Sequence, residues 1–211
     1  MPTRTFKRLD EEKQERVLRS AIREFHECGF EKAKMEVIAQ NAEVAKGSMY
    51  QYFSDKKELF LYCASWTLEY FMKDIDTQTP LKNIDIFDYF LSGVRGQIEL
   101  IKREPLLLMF MQDLTSGKFG ELTKESMDGL WRIGDEYMLE LVSTGKKKGT
   151  IRDDVDDFLL VLFVKGATSK INEHLFKEAE KCGFNMDDLQ YAKIEESLNR
   201  MVLLLKQGMG R

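Results

Sequence analysis

The stretch that decides the fold runs from Gly29-Phe30 through Met35, Ile38-Ala39 and Ala42 to Val44-Ala45-Lys46-Gly47-Ser48-Met49-Tyr50-Gln51-Tyr52-Phe53 and on to Asp55-Lys56-Lys57-Glu58-Leu59. Met35, Ile38, Ala39 and Ala42 recur at helical spacing, and a break falls near Glu43-Val44. Met49, Tyr50 and Phe53 then share a face of a second short helix over about 46–53. Two short helices separated by a few residues form a helix-turn-helix candidate.

Upstream, Asp10 is a plausible N-cap with Glu11 and Glu12 in the first turn, and Val17, Leu18, Ala21, Ile22 and Phe25 mark an amphipathic helix that Gly29 ends. Downstream, Ser54 or Asp55 can cap a long helix over 55–76, where Asp55 and Glu58 have capping-box spacing. Leu59, Tyr62, Cys63, Trp66 and Tyr70 predict its buried stripe, and Thr77 to Leu81, around Pro80, is the first interruption. Further helices are predicted over 84–102, from Pro105 onward, over 122–147 after the Gly117 to Gly120 break, over 153–181 after the turn Gly145 to Thr150, and over 187–206. In the last, Ile194, Leu198, Met201, Val202 and Leu205 hold one face. No strand pattern competes. The chain reads as all-α: a small N-terminal unit, 1–54, and a larger helical body, 55–211, joined through the helix over 55–76.

Composition agrees. There are 3 prolines in 211 residues, and a chain of this mass buries about 70% of its unfolded surface without disulfides or metals. The longest apolar runs, Leu106 to Met111 and Phe158 to Val164, fall far short of the ~18–20 residues that a membrane span needs. The basic start, Met1 to Arg8, runs into the charged stretch Asp10 to Glu15 without an apolar segment, so no signal peptide and a cytoplasmic location are expected. Cys28, Cys63 and Cys182 form no C-x-x-C pair, which suggests neither a disulfide framework nor a zinc site; they read as buried or spectator thiols, with redox sensing as the rarer role. Residues 1–60 carry 12 Lys/Arg against 11 Asp/Glu, and residues 61–211 carry 20 against 25. No domain is basic enough to imply nucleic acid by composition, so that case rests on where particular residues sit.

Catalytic patterns are missing. His26 and His174 lack the spacing of a metal pair and read as solvated helix residues. Gly145 to Thr150 and Ser116 to Gly120 superficially resemble phosphate loops, but neither fits G-x-x-x-x-G-K-[ST] or follows a strand. No G-x-S-x-G occurs. Asp153, Asp154, Asp156 and Asp157 lack the glycine and closing glutamate of a calcium loop and suit a helix N-terminus. No enzyme activity, metal or cofactor is expected.

The run I-A-x-x-A-x-V-[AS]-x-G-x-[LM]-Y-x-Y-F, followed by x-x-K-x-x-L, resembles the DNA-binding domain of the TetR family of bacterial transcriptional regulators, with more than ten positions matching over residues 38–59. The resemblance covers the N-terminal fifth to quarter of the chain. It implies a helix-turn-helix domain in which Lys46, Gly47, Ser48 and Gln51 read bases and Tyr50, Tyr52 and Lys56 contact phosphates. Chemically, Gln51 can pair bidentately with adenine, Lys46 can donate to guanine or to a phosphate, and Gly47 lets the backbone approach DNA. There are two departures from the family pattern. Ala33 and Lys34 replace the usual Thr or Ser at the first short helix, so that Lys34 supplies a phosphate contact by charge. Glu43 stands where the turn usually has Gly, at a cost of about 1 kcal/mol in a left-handed conformation. Arg4, Lys7 and Arg8 form either a flexible arm toward DNA or a solvated tail.

For the rest of the chain, the resemblance implies an effector-binding and dimerisation domain: a homodimer whose last two helices pack as a four-helix bundle and space two recognition helices one DNA turn apart on a palindromic operator. Gly166-Ala167-Thr168-Ser169 permits close helix approach, and Ala167, Ile194, Leu198, Met201 and Leu205 are the interface candidates, with burial inside the monomer as the alternative. A small apolar or amphipathic effector would release a repressor of this kind from double-stranded DNA. Met111, Trp131 and Tyr137 are its candidate contacts among the Met and aromatic residues of the middle of the chain. The rival reading keeps the same head on an effector-independent, chromosome-organising protein.

Overall fold

Caps and glycines set the element boundaries. The computed structural model describes residues 2–78 and 84–210, with the side chains of 72–78 and 128–133 outside the description. Its helices are α1 (Arg4–Lys7), α2 (Glu11–Lys32), α3 (Met35–Asn41), α4 (Lys46–Tyr52), α5 (Lys56–Gln78), α6 (Ile86–Arg103), α7 (Pro105–Thr115), α8 (Glu121–Lys148), α9 (Asp157–Lys181) and α10 (Asp188–Met209). Asp10 caps α2 by accepting from the Lys13 N–H at 2.8 Å. Asp85 and Asp156 do the same for α6 and α9, and Asp187 with Gln190 forms a complete capping box on α10. Among the described residues there is no strand, and one isolated bridge pairs Ile151 with Gly210. The interruption expected around Pro80 lies outside the described residues.

Contacts divide the chain into two compact units, Met1–Lys73 with Leu106–Gly129, and Asp74–Pro105 with Leu130–Arg211. This division differs from a cut at 54/55, because most of α5 and the 106–129 segment belong with the N-terminal helices.

In the first unit Val17, Leu18, Ala21, Ile22 and Phe25 of α2 are buried as their spacing predicts. At Gly29, with φ of 72°, the helix kinks and turns Phe30 back over Phe25 and Phe60. Phe60 also meets Phe110 and Phe119, at ring-centroid distances of 5.8 and 4.8 Å. These contacts explain why the buried arc of α5 is Leu59, Phe60, Cys63, Ala64, Thr67 and Phe71. Packing of 106–119 on a second side of the helix widens the arc beyond the expected stripe and leaves Tyr62, Trp66 and Tyr70 half-exposed. Cys63, fully enclosed, has its thiol pushed well above the usual range by burial.

The structure also corrects the readings of His26 and of the N-terminus. His26 is not simply solvated: its Nδ1 lies 2.7 Å from Asp113 Oδ2, and Lys118 Nζ bonds both that carboxylate and the His26 carbonyl. Nor is the N-terminus a loose arm. Phe6 is fully buried against Tyr52, Phe53 and Tyr62, while Thr3 donates to the Tyr52 carbonyl through its N–H and to the Gln51 carbonyl through its hydroxyl. Phe6, the lone aromatic in a basic octapeptide, is the sequence signal for this docking.

In the second unit, Ile86, Phe87, Phe90, Val94, Ile98 and Ile101 make the buried stripe of α6, which packs on α9 and α10. Arg95 Nε donates to Glu195 at 2.9 Å across α6 and α10. Ile151 crosses the end of α8 close against Gly145, where a Cβ would lie 2.5 Å from the end of the Ile151 side chain. Ile194, Leu198 and Leu205 are buried inside this unit, and Met201 and Ala167 are half-buried. Ile194, Leu198 and Leu205 therefore serve the chain's own core, while Met201 stays partly open. A different apolar surface faces outward: Phe158, Leu159, Leu162 and Phe163 on α9 and Leu203 and Leu204 on α10, each more than half exposed. These two patches approach one another where Phe163 lies 3.6 Å from the position a Cβ would take on Gly208.

Candidate nucleic-acid interface

The turn between α3 and α4 closes with two backbone bonds, Glu43 N–H to the Gln40 carbonyl at 3.1 Å and Val44 N–H to the Ala39 carbonyl at 3.0 Å. This is a Schellman motif, whose residue after the C-cap adopts left-handed backbone; Glu43 does so at φ of 56°. Arg16 Nε donates to the Ala42 carbonyl at 3.0 Å and ties the turn to α2. Ser20 Oγ bonds the Ile38 carbonyl, and Glu24 accepts from the Lys34 N–H at 3.0 Å. α3 and the turn are thus held to α2 by side chains as well as by apolar packing, and α4 packs on α3 and α1.

At 100° per residue, Met49 and Tyr52 fall on the inward side of α4 and are buried, whereas Gly47, Tyr50 and Gln51 share the opposite side and are exposed. Lys46 lies on the flank nearer α3, exposed and ion-paired to Glu36, and Ser48 lies on the other flank, half-buried. The Lys46 hydrogen bond holds the Glu36 carboxyl below its usual range, and Glu36 in turn raises the Lys46 ammonium. Both groups are charged at neutral pH.

Two expected phosphate contacts are placed differently. Tyr52 is buried against Phe6, with ring centroids 5.7 Å apart, so its ring serves the core of the head. Lys56 turns its ammonium onto the Glu31 and Ala33 carbonyls at 3.0 and 3.1 Å and over the Phe30 ring, closing the end of α2. Lys34 is the exposed N-cap of α3, with no side-chain cap bond. The residue that spacing alone missed is Glu36, which faces Lys46; Arg4, Lys7 and Arg8, read as an arm or a tail, are exposed on or beside a helix that packs on α4.

The candidate effector contacts fall in different units. Met111 on α7 is half-buried in the first unit. Tyr137 on α8, in the second, is half-buried 5.3 Å from the Tyr89 ring. The Trp131 side chain lies outside the described residues. Two open surface depressions, one lined by α2 residues with Asn41 and one along α6, include none of the three. Among the described residues no group of His, Cys, Asp or Glu could hold a metal ion, and no helix is long and apolar enough to cross a membrane.

Residues 17–63 match the family model described as bacterial regulatory proteins, tetR family. The chain has the fold of the TetR-family transcriptional regulators, all-helical, with an N-terminal helix-turn-helix domain and a C-terminal helical domain. Among solved structures, a TetR family transcriptional regulator from Chloroflexus aurantiacus J-10-FL is similar over 100% of this chain and 99% of its own, with a TM-score of 0.76 and 24% identity. The fatty acid degradation regulator FadR from Bacillus halodurans is similar over 90% and 93%, with a TM-score of 0.65 and 19% identity. The ketosteroid transcriptional regulator KstR2 of Mycobacterium tuberculosis is similar over 97% of each chain, with a TM-score of 0.63 and 16% identity. No curated protein matches the chain in sequence.

Proposed function

We propose that this chain is a cytoplasmic transcriptional repressor that binds a palindromic operator in double-stranded DNA as a homodimer and is released by a small apolar or amphipathic effector in its C-terminal helices. The observation that carries the reading is the outward side of α4. A glycine, a tyrosine hydroxyl and a carboxamide project together from a short helix whose other side is locked into the head. Gln51 suits base readout and Tyr50 a phosphate, with Gly47 allowing close approach. Support for the homodimer comes from the outward apolar residues of α9 and α10, which water would otherwise cover at a cost in free energy.

Selection from a random duplex pool with the purified full-length protein tests the proposal. An enriched palindrome with half-sites one helical turn apart supports a dimeric operator reader. Salt-sensitive binding without an enriched sequence would contradict it and favour the chromosome-organising reading. Screening small apolar and amphipathic compounds for loss of binding to the enriched duplex then tests effector release; if none lowers operator affinity, that part of the proposal fails.

A further inference from the structure

A carboxylate on a DNA-binding face lowers affinity for every duplex, because the phosphates set the dominant, sequence-independent part of binding. Glu36 is such a group. It projects from α3 beside Lys46 of α4, both side chains remain about half exposed, and the pair bridges the two helices. Stability is a weak reason for the arrangement, since exposed ion pairs contribute little, and the two helices are already joined by the Schellman turn and by their packing on each other. The backbone turn thus sets the geometry, and the ion pair is added to it.

Its chemistry suits a major groove. A carboxylate there can accept only from amino groups, of which cytosine N4 is the usual partner, while an ammonium donates to guanine O6 and N7. Held together, Glu36 and Lys46 present an acceptor and a donor side by side, the complement of the donor on cytosine and the acceptors on guanine. We propose that Glu36 is a specificity-determining residue, and that with Lys46 it forms a two-helix reader of a G·C pair in each half-site, accepting from cytosine while Lys46 donates to guanine. The inference rests on the operator-binding reading above. Glu36 lowers affinity for all duplexes and least for the one that supplies the cytosine amino group. Lys34, whose charge also acts on Glu36, moderates the negative charge without supplying an acceptor.

The test uses full-length protein and the duplex enriched by selection. Each G·C pair of the half-site is replaced in turn, and anisotropy titrations compare wild type, Glu36→Gln and Lys46→Ala. Wild type is expected to prefer G·C at one position by about tenfold. Glu36→Gln, an exposed near-isosteric change, should bind every duplex several-fold more tightly yet lose most of the preference at that position, leaving the others intact. Lys46→Ala should lose preference at the same position. If Glu36→Gln shifts all duplexes by one factor with every base preference intact, or if the two variants affect different positions, the composite reader is wrong although operator binding stands. If wild type binds no duplex, the operator reading fails and this inference falls with it.

Discussion

Glu43 carries two separable burdens, backbone strain and charge. Its φ of 56° places a Cβ in the left-handed region, at a cost of about 1 kcal/mol relative to glycine. Glu43→Gly is therefore expected to raise the thermal midpoint by roughly 2–4 °C for a chain of this size, measured by calorimetry. Glu43→Ala keeps the Cβ and should give no such gain; an equal gain in both variants would show that strain is not the cause. Both remove a carboxylate from the turn and should tighten binding to duplex DNA. On α4 the two exposed side chains separate positioning from readout. Gln51→Ala should relax preference at one base position per half-site, whereas Tyr50→Phe should weaken all duplexes about equally. Titration of single-base variants of the selected site distinguishes them, and unchanged preference in Gln51→Ala would remove it from the reader. Gly47, Tyr50 and Gln51 were legible from the motif, although Tyr50, expected on the face of Met49 and Phe53, is exposed on the opposite side. The Lys46 partner and the inward turn of Tyr52 were not, since they depend on what α3 and Phe6 bring from elsewhere in the chain.

Among the elements, α9 and α10 show how far periodicity reaches. The pattern Ile194, Leu198, Leu205 is a sound helical stripe, and it is buried, but within the chain's own second unit. A stripe states which side is apolar and leaves open whether intrachain or intersubunit packing covers it. Leu198→Ala is accordingly expected to cost about 2–5 kcal/mol of stability through lost burial and a cavity, in denaturant unfolding, without shifting the oligomeric state. Phe163→Glu, on the outward apolar side, should instead yield monomers in sedimentation with a folded circular-dichroism spectrum. A dimer unaffected by Phe163→Glu would move the interface elsewhere. At the other end of the chain, α1 is held to α4 through Phe6, whose rings of contact are Tyr52, Phe53 and Tyr62. Phe6→Ala should cost about 3 kcal/mol or more and weaken binding to all duplexes by loosening the basic residues beside α4. The start of α2 was readable because Asp10 caps it, whereas α9 begins after its cap Asp156 and not at 153, since Asp156 is the aspartate of that cluster that accepts from the first-turn N–H groups. The wider buried arc of α5 was not readable, because Phe110 and Phe119 reach it from a segment about 50 residues further along the chain.

For the molecule as a whole, the all-α architecture followed from scarce proline, helical spacing and the turn at residues 43–45. The division into compact units did not follow, since contacts between distant segments define it: 106–129 joins the N-terminal helices, a grouping that no local pattern announces. Base readout belongs to the side of α4 that faces away from the head. An anisotropy titration of the wild-type protein against the selected palindrome and a scrambled duplex of the same composition, at two salt concentrations, tests it most directly. Affinity for both duplexes should fall with salt as counterions compete for phosphates, while preference for the palindrome persists at about 10³-fold or more. Equal affinity for the two duplexes at both salt concentrations would contradict base readout by α4.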